Sequence, residues 1–153
     1  MPRIRVLVVD DAVVVRRLVT DALAADPEIE VVGTAANGVI ALQKIPQCNP
    51  DLVTLDVEMP ELDGLGTLKA IRRTWPRLPV VMFSTLTERG AGTTLDALAA
   101  GASDYVTKPA NVGSVTAGIE RVQQELIPKI HALAGGPPRA RPGPAPPVAA
   151  PAP

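Results

Sequence analysis

Five short apolar runs punctuate the chain: Arg5–Val9, Ile29–Ala35, Leu52–Asp56, Val80–Ser84 and Ser103–Thr107. Within VLVV and VVMF no polar residue alternates with the apolar ones, which predicts strands covered on both faces, as in a parallel sheet. The runs begin about every two dozen residues, the length of a strand–helix unit. Between them the apolar residues take helical spacing. Val15, Leu18, Val19, Ala22 and Leu23 follow Asp11; further helices are predicted over Gly38–Ile45, over Gly64–Trp75 ahead of Pro76, and over Arg89–Ala100 with Gly101 as its C-terminal cap. A last apolar stripe runs through Val112, Val115, Ile119, Val122, Leu126, Ile130 and Leu133. Pro128 lies inside it and predicts a kink or an interruption. Together these elements predict an α/β fold, a five-stranded parallel sheet doubly wound as (βα)5, with right-handed crossovers and helices on both faces.

The pattern stops near residue 135. From Gly135 to Pro153 the chain holds eight Pro, five Ala and three Gly, and Val148 is the one larger apolar residue. Such a segment buries too little to offset its ordering entropy, and its prolines favour extended, semi-rigid spacing. The expected organisation is a folded domain over 1–134 and a Pro/Ala-rich disordered linker or tail over 135–153.

Composition then removes whole classes of function. Aromatics make up 2 % of the chain, Trp75, Phe83 and Tyr105, too few for a base-stacking surface. With 15 basic against 16 acidic side chains, binding to a phosphate backbone through bulk charge is not expected either. One cysteine, Cys48, and one histidine, His131, exclude an internal disulfide framework and a Cys- or His-rich metal site. Asp10 and Asp11 interrupt the first apolar run, so it is no signal-peptide core, and no run is long enough to span a membrane. The expectation is a cytoplasmic protein with no membrane insertion and no nucleic-acid partner.

In parallel sheets of this kind, ligands bind at the carboxyl ends of the strands. Those ends carry the chemistry here. The first run ends in Asp10-Asp11, the third in Asp56 and the fourth in Ser84, while the fifth leads into Lys108-Pro109. Any one of these residues alone reads as a helix cap or loop residue. Taken together, three carboxylates repel unless a cation joins them, and aspartate oxygens suit Mg²⁺. Lys108 supplies a mobile point charge to offset the remainder.

In VLVVDD, DLVTLDVEMPELDGL, PVVMFST and GASDYVTKP, in that order and spacing, the chain resembles the two-component response-regulator receiver domain. The resemblance covers residues 4 to about 134. The stretch from Ser84 to Pro109, the later ELIPKI and the Pro/Ala-rich connector are similar, more finely, to the receiver part of chemotaxis protein-glutamate methylesterases (CheB-type). The resemblance implies a flavodoxin-like sheet in the order 2-1-3-4-5. It also implies that Asp56 is the phosphoacceptor, that Asp10 and Asp11 hold Mg²⁺ with Asp56 and the main-chain carbonyl of Glu58, that Lys108 and the hydroxyl of Ser84 contact the phosphoryl group, and that Tyr105 is an aromatic switch. Implied partners are a histidine kinase of the chemotaxis type and a C-terminal output domain or chemoreceptor complex.

The sequence departs from the pattern at Ala12, where the family often has a small polar residue, so that Asp11 must cap the first helix or leave its donors to water. Leu86 stands two residues after Ser84 and cannot orient an attacking water. Cys48 reads as a helix-end residue and His131 as a solvated helix position. No methylesterase catalytic set is present over 135–153, so hydrolysis of glutamyl esters is not expected of this chain. A stand-alone receiver without enzymatic output is the alternative. A phosphohydrolase of the haloacid-dehalogenase kind also uses an Asp nucleophile and Mg²⁺, but carries it on the first strand. A P-loop is missing, and Asp10-Asp11 would repel the phosphate of a flavin.

Overall fold

A computed structural model describes residues 3–57, 59, 63–84, 88–107 and 115–134. The elements alternate along the chain as β1 (Ile4–Val9), α1 (Val13–Ala24), β2 (Ile29–Ala35), α2 (Gly38–Cys48), β3 (Leu52–Asp56), α3 (Gly64–Thr74), β4 (Val80–Ser84), α4 (Glu88–Ala99), β5 (Asp104–Thr107) and α5 (Val115–Ala134). The strands form one sheet in the order β2-β1-β3-β4-β5, and every neighbouring pair is parallel.

The alternation of side chains along each strand sorts the apolar residues into two cores. Val6 and Val8 of β1 join Leu18, Ala22 and Leu23 of α1 and Val122, Leu126 and Ile130 of α5 on one face. Leu7 and Val9 join Ala41 and Ile45 of α2, Leu68 and Ile71 of α3 and Ala97 of α4 on the other. A strand apolar at every position therefore serves both layers, which is why VLVV shows no alternation.

Two helices continue through prolines without interruption. The helix α5 runs uninterrupted from Val115 to Ala134 with Pro128 inside it. Pro128 is exposed, beside a groove along β5, while the fully buried Leu126 and Ile130 pin the helix to the sheet. Burial of that stripe offsets the one backbone bond the ring removes. Likewise α2 continues through the exposed Pro46 to Cys48, three residues past its expected end. It closes on Asn49, whose φ of 50° is left-handed and whose N–H returns to the Ile45 carbonyl at 2.8 Å.

At the end of α4, Gly101 holds a φ of +113° and Ala102 N–H reaches the Ala97 carbonyl at 2.9 Å, the hydrogen bonding of a glycine-stopped helix. Arg72 of α3 locks this turn from outside. Its Nε donates to the Gly101 carbonyl at 2.9 Å, and Nη1 to the carbonyls of Trp75 at 3.2 Å and Leu78 at 2.6 Å. Partial burial pushes its guanidinium pKa down from the ordinary arginine range. Arg72→Met keeps the packing volume but removes the guanidinium from three carbonyls, of which that of Trp75 keeps the Leu78 N–H at 3.2 Å. Urea unfolding is expected to show a loss of ~2 kcal/mol, since hydrogen bonds to charged donors are the stronger kind. An unchanged midpoint would mean that water replaces the guanidinium at no cost.

Candidate functional site

The register of β1 against β3 builds the site. Val9 lies opposite Leu55 in the last matched pair, so the next residue on each strand, Asp10 and Asp56, reaches the carboxyl edge at the same level. Asp10 is 3 % and Asp56 1 % exposed, and the Oδ2 atom of Asp56 is fully buried. Asp11 follows in the loop and is exposed. Each of the three offers a carboxylate oxygen, and these oxygens lie within 4.8 Å of one another.

The backbone around them is held at several points. Asp10 N–H donates to the Ala35 carbonyl at 3.1 Å, and Arg16 Nη1 donates to the Asp10 carbonyl at 2.8 Å. Asp10 Oδ1 accepts the Ala12 N–H at 2.9 Å. Of the two alternatives for Asp11, the structure takes the second: Ala12 is the N-cap of α1 without a side-chain cap bond, and Asp10 ties down the turn before it. Asp11 is exposed, and its carboxylate joins the cluster as a ligand-ready group rather than a cap.

On the other side of the site, Val57 N–H donates to the Phe83 carbonyl at 3.0 Å and Gly64 N–H to the Val57 carbonyl at 3.0 Å. Asp63 caps α3, its Oδ1 accepting the Gly66 N–H at 2.8 Å. The first residue of α3 thus presses on the end of β3, so close that a Cβ at Gly64 would meet the Asp56 carbonyl and both the Cα and carbonyl oxygen of Val57. Sequence reasoning passed over this contact, although the Asp63-Gly64 pair ahead of a helical stretch is its signal.

Of the other residues singled out above, Ser84 ends β4 with its backbone paired to Thr107, and its side chain lies outside the described residues. Glu58, Leu86, Lys108 and the segment 135–153 lie outside them too. Tyr105 is described: it sits on β5, 44 % exposed, on the rim of a groove of about 660 Å³ shared with Gln124, Pro128 and Lys129 of α5. The Lys129 ammonium meets Asp104 at 3.0 Å in the same groove.

Three clustered carboxylates, two of them buried, cannot all be charged cheaply without a cation. Their donors are all hard oxygens, which fits Mg²⁺ and offers a transition metal no softer ligand.

His131 departs from its reading as a solvated position. Its Nε2 lies 2.7 Å from Asp26 Oδ2, across the packing of α5 on the α1–β2 turn. Partial burial pushes the Asp26 carboxyl up, but the hydrogen bonds from His131 and the Glu28 N–H, with the charge of His131, hold it below its ordinary value. A depressed carboxyl contributes stability above its unfolded value and loses it as pH falls through the lower folded one. Asp26→Asn is therefore expected to cost ~1 kcal/mol at pH 7. That difference closes once the wild-type carboxyl is protonated too, well below the usual carboxylate range. Urea midpoints across an acid series read it, and a difference constant with pH would mean the charge of Asp26 plays no part.

Among the described residues no helix is long and apolar enough to cross a membrane. A family model for the response regulator receiver domain matches residues 6–120. A protein-glutamate methylesterase/protein-glutamine glutaminase of Nocardioides sp. is 66 % identical over 133 residues, covering 87 % of this chain and 36 % of the relative. One from Trichodesmium erythraeum is 61 % identical over 131 residues, covering 86 % of this chain and 37 % of the relative. The chain thus spans little more than a third of the length of these curated relatives. The crystal structure of the response regulator domain of Thermotoga maritima CheB superposes with a TM-score of 0.76 at 41 % identity, covering 89 % of this chain and 99 % of that one. A doubly wound parallel sheet with its acidic edge between β1 and β3, and a family match running from β1 into α5, make the chain a member of the response regulator receiver domain family.

Proposed function

We propose that Asp56 accepts a phosphoryl group from the phosphohistidine of a chemotaxis-type kinase, and that the modified chain switches the output of a protein-glutamate methylesterase in the cytoplasm. The observation that carries this reading is the juxtaposition of Asp10, Asp11 and Asp56 oxygens within 4.8 Å at the strand ends. A carboxylate oxygen of Asp56 attacks phosphorus, the P–N bond to the kinase imidazole breaks, and an acyl phosphate forms. Mg²⁺, when bound, neutralises the charge of the transferring phosphoryl oxygens. Asp10 and Asp11 would hold it with Asp56 and the Glu58 carbonyl; Lys108 and the Ser84 hydroxyl would contact the phosphoryl group.

The added charge of about −1.5 to −2 is read through β4 and β5. Their pairing sets Ser84 opposite Thr107, and Tyr105 lies two residues back along β5. Its ring is exposed at the groove against α5, and it would turn inward when the Ser84 end moves. That face of β5 and α5 is the surface an output domain would sense. Residues 1–134 act as the receiver and 135–153 as the linker toward that domain, where the esterase chemistry of the longer relatives would reside.

Thermal melts with and without Mg²⁺ test the metal-binding half. The wild-type chain is expected to gain ~1.4 kcal/mol when Mg²⁺ stands tenfold above its Kd. Asp11→Ala is expected to lose that gain and to be the more stable protein without metal, because one of three repelling charges is gone. A variant that still responds to Mg²⁺ as wild type does would remove Asp11 from the ligand set.

A further inference from the structure

A second group of potential ligands lies at the opposite pole of the sheet. Asp26 and Glu28 belong to the turn that leads into β2, and His131 to the last turn of α5. The imidazole stands between two carboxylates: Nε2 is 2.7 Å from Asp26 Oδ2 and Nδ1 is 3.6 Å from Glu28 Oε1. One donor atom from each of the three falls within a 4.8 Å cluster. We propose that Asp26, Glu28 and His131 form a binding site for a divalent transition ion of the Zn²⁺ class.

The arrangement is prepared for such an ion. Asp26 Oδ1 accepts the Glu28 N–H at 2.9 Å, which aims the other oxygen at the imidazole. The turn itself is anchored by Ile29 N–H on the Asp26 carbonyl at 3.1 Å and by Ile4 N–H on the Glu28 carbonyl at 2.7 Å. His131 is fixed by its neighbour Ile130, which is fully buried, and by Ala134 in the same last turn. Glu28 lies on the Nδ1 side of the ring, and its 73 % exposed side chain can swing to the Nε2 edge, where the ion would sit, without disturbing the core.

One imidazole and two carboxylates suit Zn²⁺, whose bonds to both are about 2.0–2.2 Å, whereas Mg²⁺ favours oxygen alone. The ion would replace the proton shared between His131 and Asp26, releasing it to solvent. Binding would staple the end of α5, from which residues 135–153 depart, to the turn between α1 and β2. The competing account is a plain histidine–aspartate ion pair that binds nothing.

His131 is the one histidine of the chain, so its imidazole signals report this site without ambiguity. The experiment titrates ZnCl₂ into the full chain carrying Cys48→Ser, which removes the thiol, in excess Mg²⁺ to occupy the acidic pocket. ¹H–¹⁵N spectra of the imidazole and the melting temperature are followed. The expected result is a saturating shift of the imidazole nitrogens at one Zn²⁺ per chain and a rise in Tm. Asp26→Asn and Glu28→Gln are each expected to weaken binding about tenfold or more, as loss of a ligand-shell group does, and His131→Gln to abolish the Tm response. Imidazole signals unmoved at millimolar Zn²⁺ would overturn the proposal. So would a shift undiminished in both carboxylate variants, which would reveal a lone imidazole taking up metal nonspecifically.

Discussion

Asp56→Asn is expected to reduce phosphoryl incorporation to background when the chain meets acetyl phosphate and Mg²⁺. The wild-type chain gains one increment of ~80 Da in intact mass under the same conditions. Asparagine has nearly the shape of aspartate, so the sheet edge is kept. What changes is the nucleophile: an amide carries no negative charge and forms no stable acyl phosphate. Asp10 and Asp11 sit within reach of the same oxygens. They are nonetheless poor substitutes, because Asp10 already accepts the Ala12 N–H through Oδ1 and the exposed Asp11 is kept solvated. The variant should also melt no lower than wild type in metal-free buffer, since a buried charge has been removed from a repelling cluster. Those two readouts separate loss of the nucleophile from loss of the fold. Labelling of the variant at the wild-type level would move the phosphoacceptor to another residue.

Gly64→Ala is expected to be strongly damaging for a single added methyl group. A Cβ there would stand 2.7 Å from the Val57 Cα and 2.8 Å from the Val57 carbonyl oxygen, besides meeting the Asp56 carbonyl. All of these are backbone atoms, so no rotamer change relieves the contact. Either α3 lifts away from β3 or the end of β3 shifts. The first option disturbs Leu68 and Ile71, both fully buried on that helix. The second displaces Asp56 itself. A loss of ~3 kcal/mol in urea is expected, at the upper end of overpacking costs, together with slower phosphorylation by a small donor. Gly92→Ala in α4 is the control: its Cβ meets nothing within 4 Å. Removing backbone entropy from a helix interior there is expected to stabilise by ~0.5–1 kcal/mol. If Gly64→Ala matched wild type in both readouts, the close approach of α3 to the phosphoacceptor strand would have to be abandoned.

How far the sequence reached is clearest at particular residues. The five strands and the helices between them were legible from local pattern, because a strand buried on both faces must be apolar at every position and a helix on its surface must repeat every three or four. The sudden carboxylates after VLVV and within LVTLD marked the strand ends as chemical, since burying Asp10 and Asp56 serves no packing purpose. Sequence pattern could not say that these ends were adjacent. That rests on β1 pairing with both β2 and β3, and on the Val9–Leu55 register that levels the two aspartates; only the family resemblance supplied the order in advance. Pro128 shows the opposite case, a local signal that does not interrupt a helix whose Leu126 and Ile130 are buried on the sheet. His131 and Arg72 were silent in the sequence because their partners are Asp26 and the carbonyls of Leu78 and Gly101, while the Asp63-Gly64 pair marked a helix start but not the backbone of Val57 it presses on. Local propensity, then, determined which elements form and what chemistry each strand end carries. Which ends meet, which helix face tolerates a proline and where a methyl group has no room were decided by tertiary packing. Those are contacts between different elements, some far apart in the chain and some only a turn or loop away, and contacts between elements leave no periodicity to read.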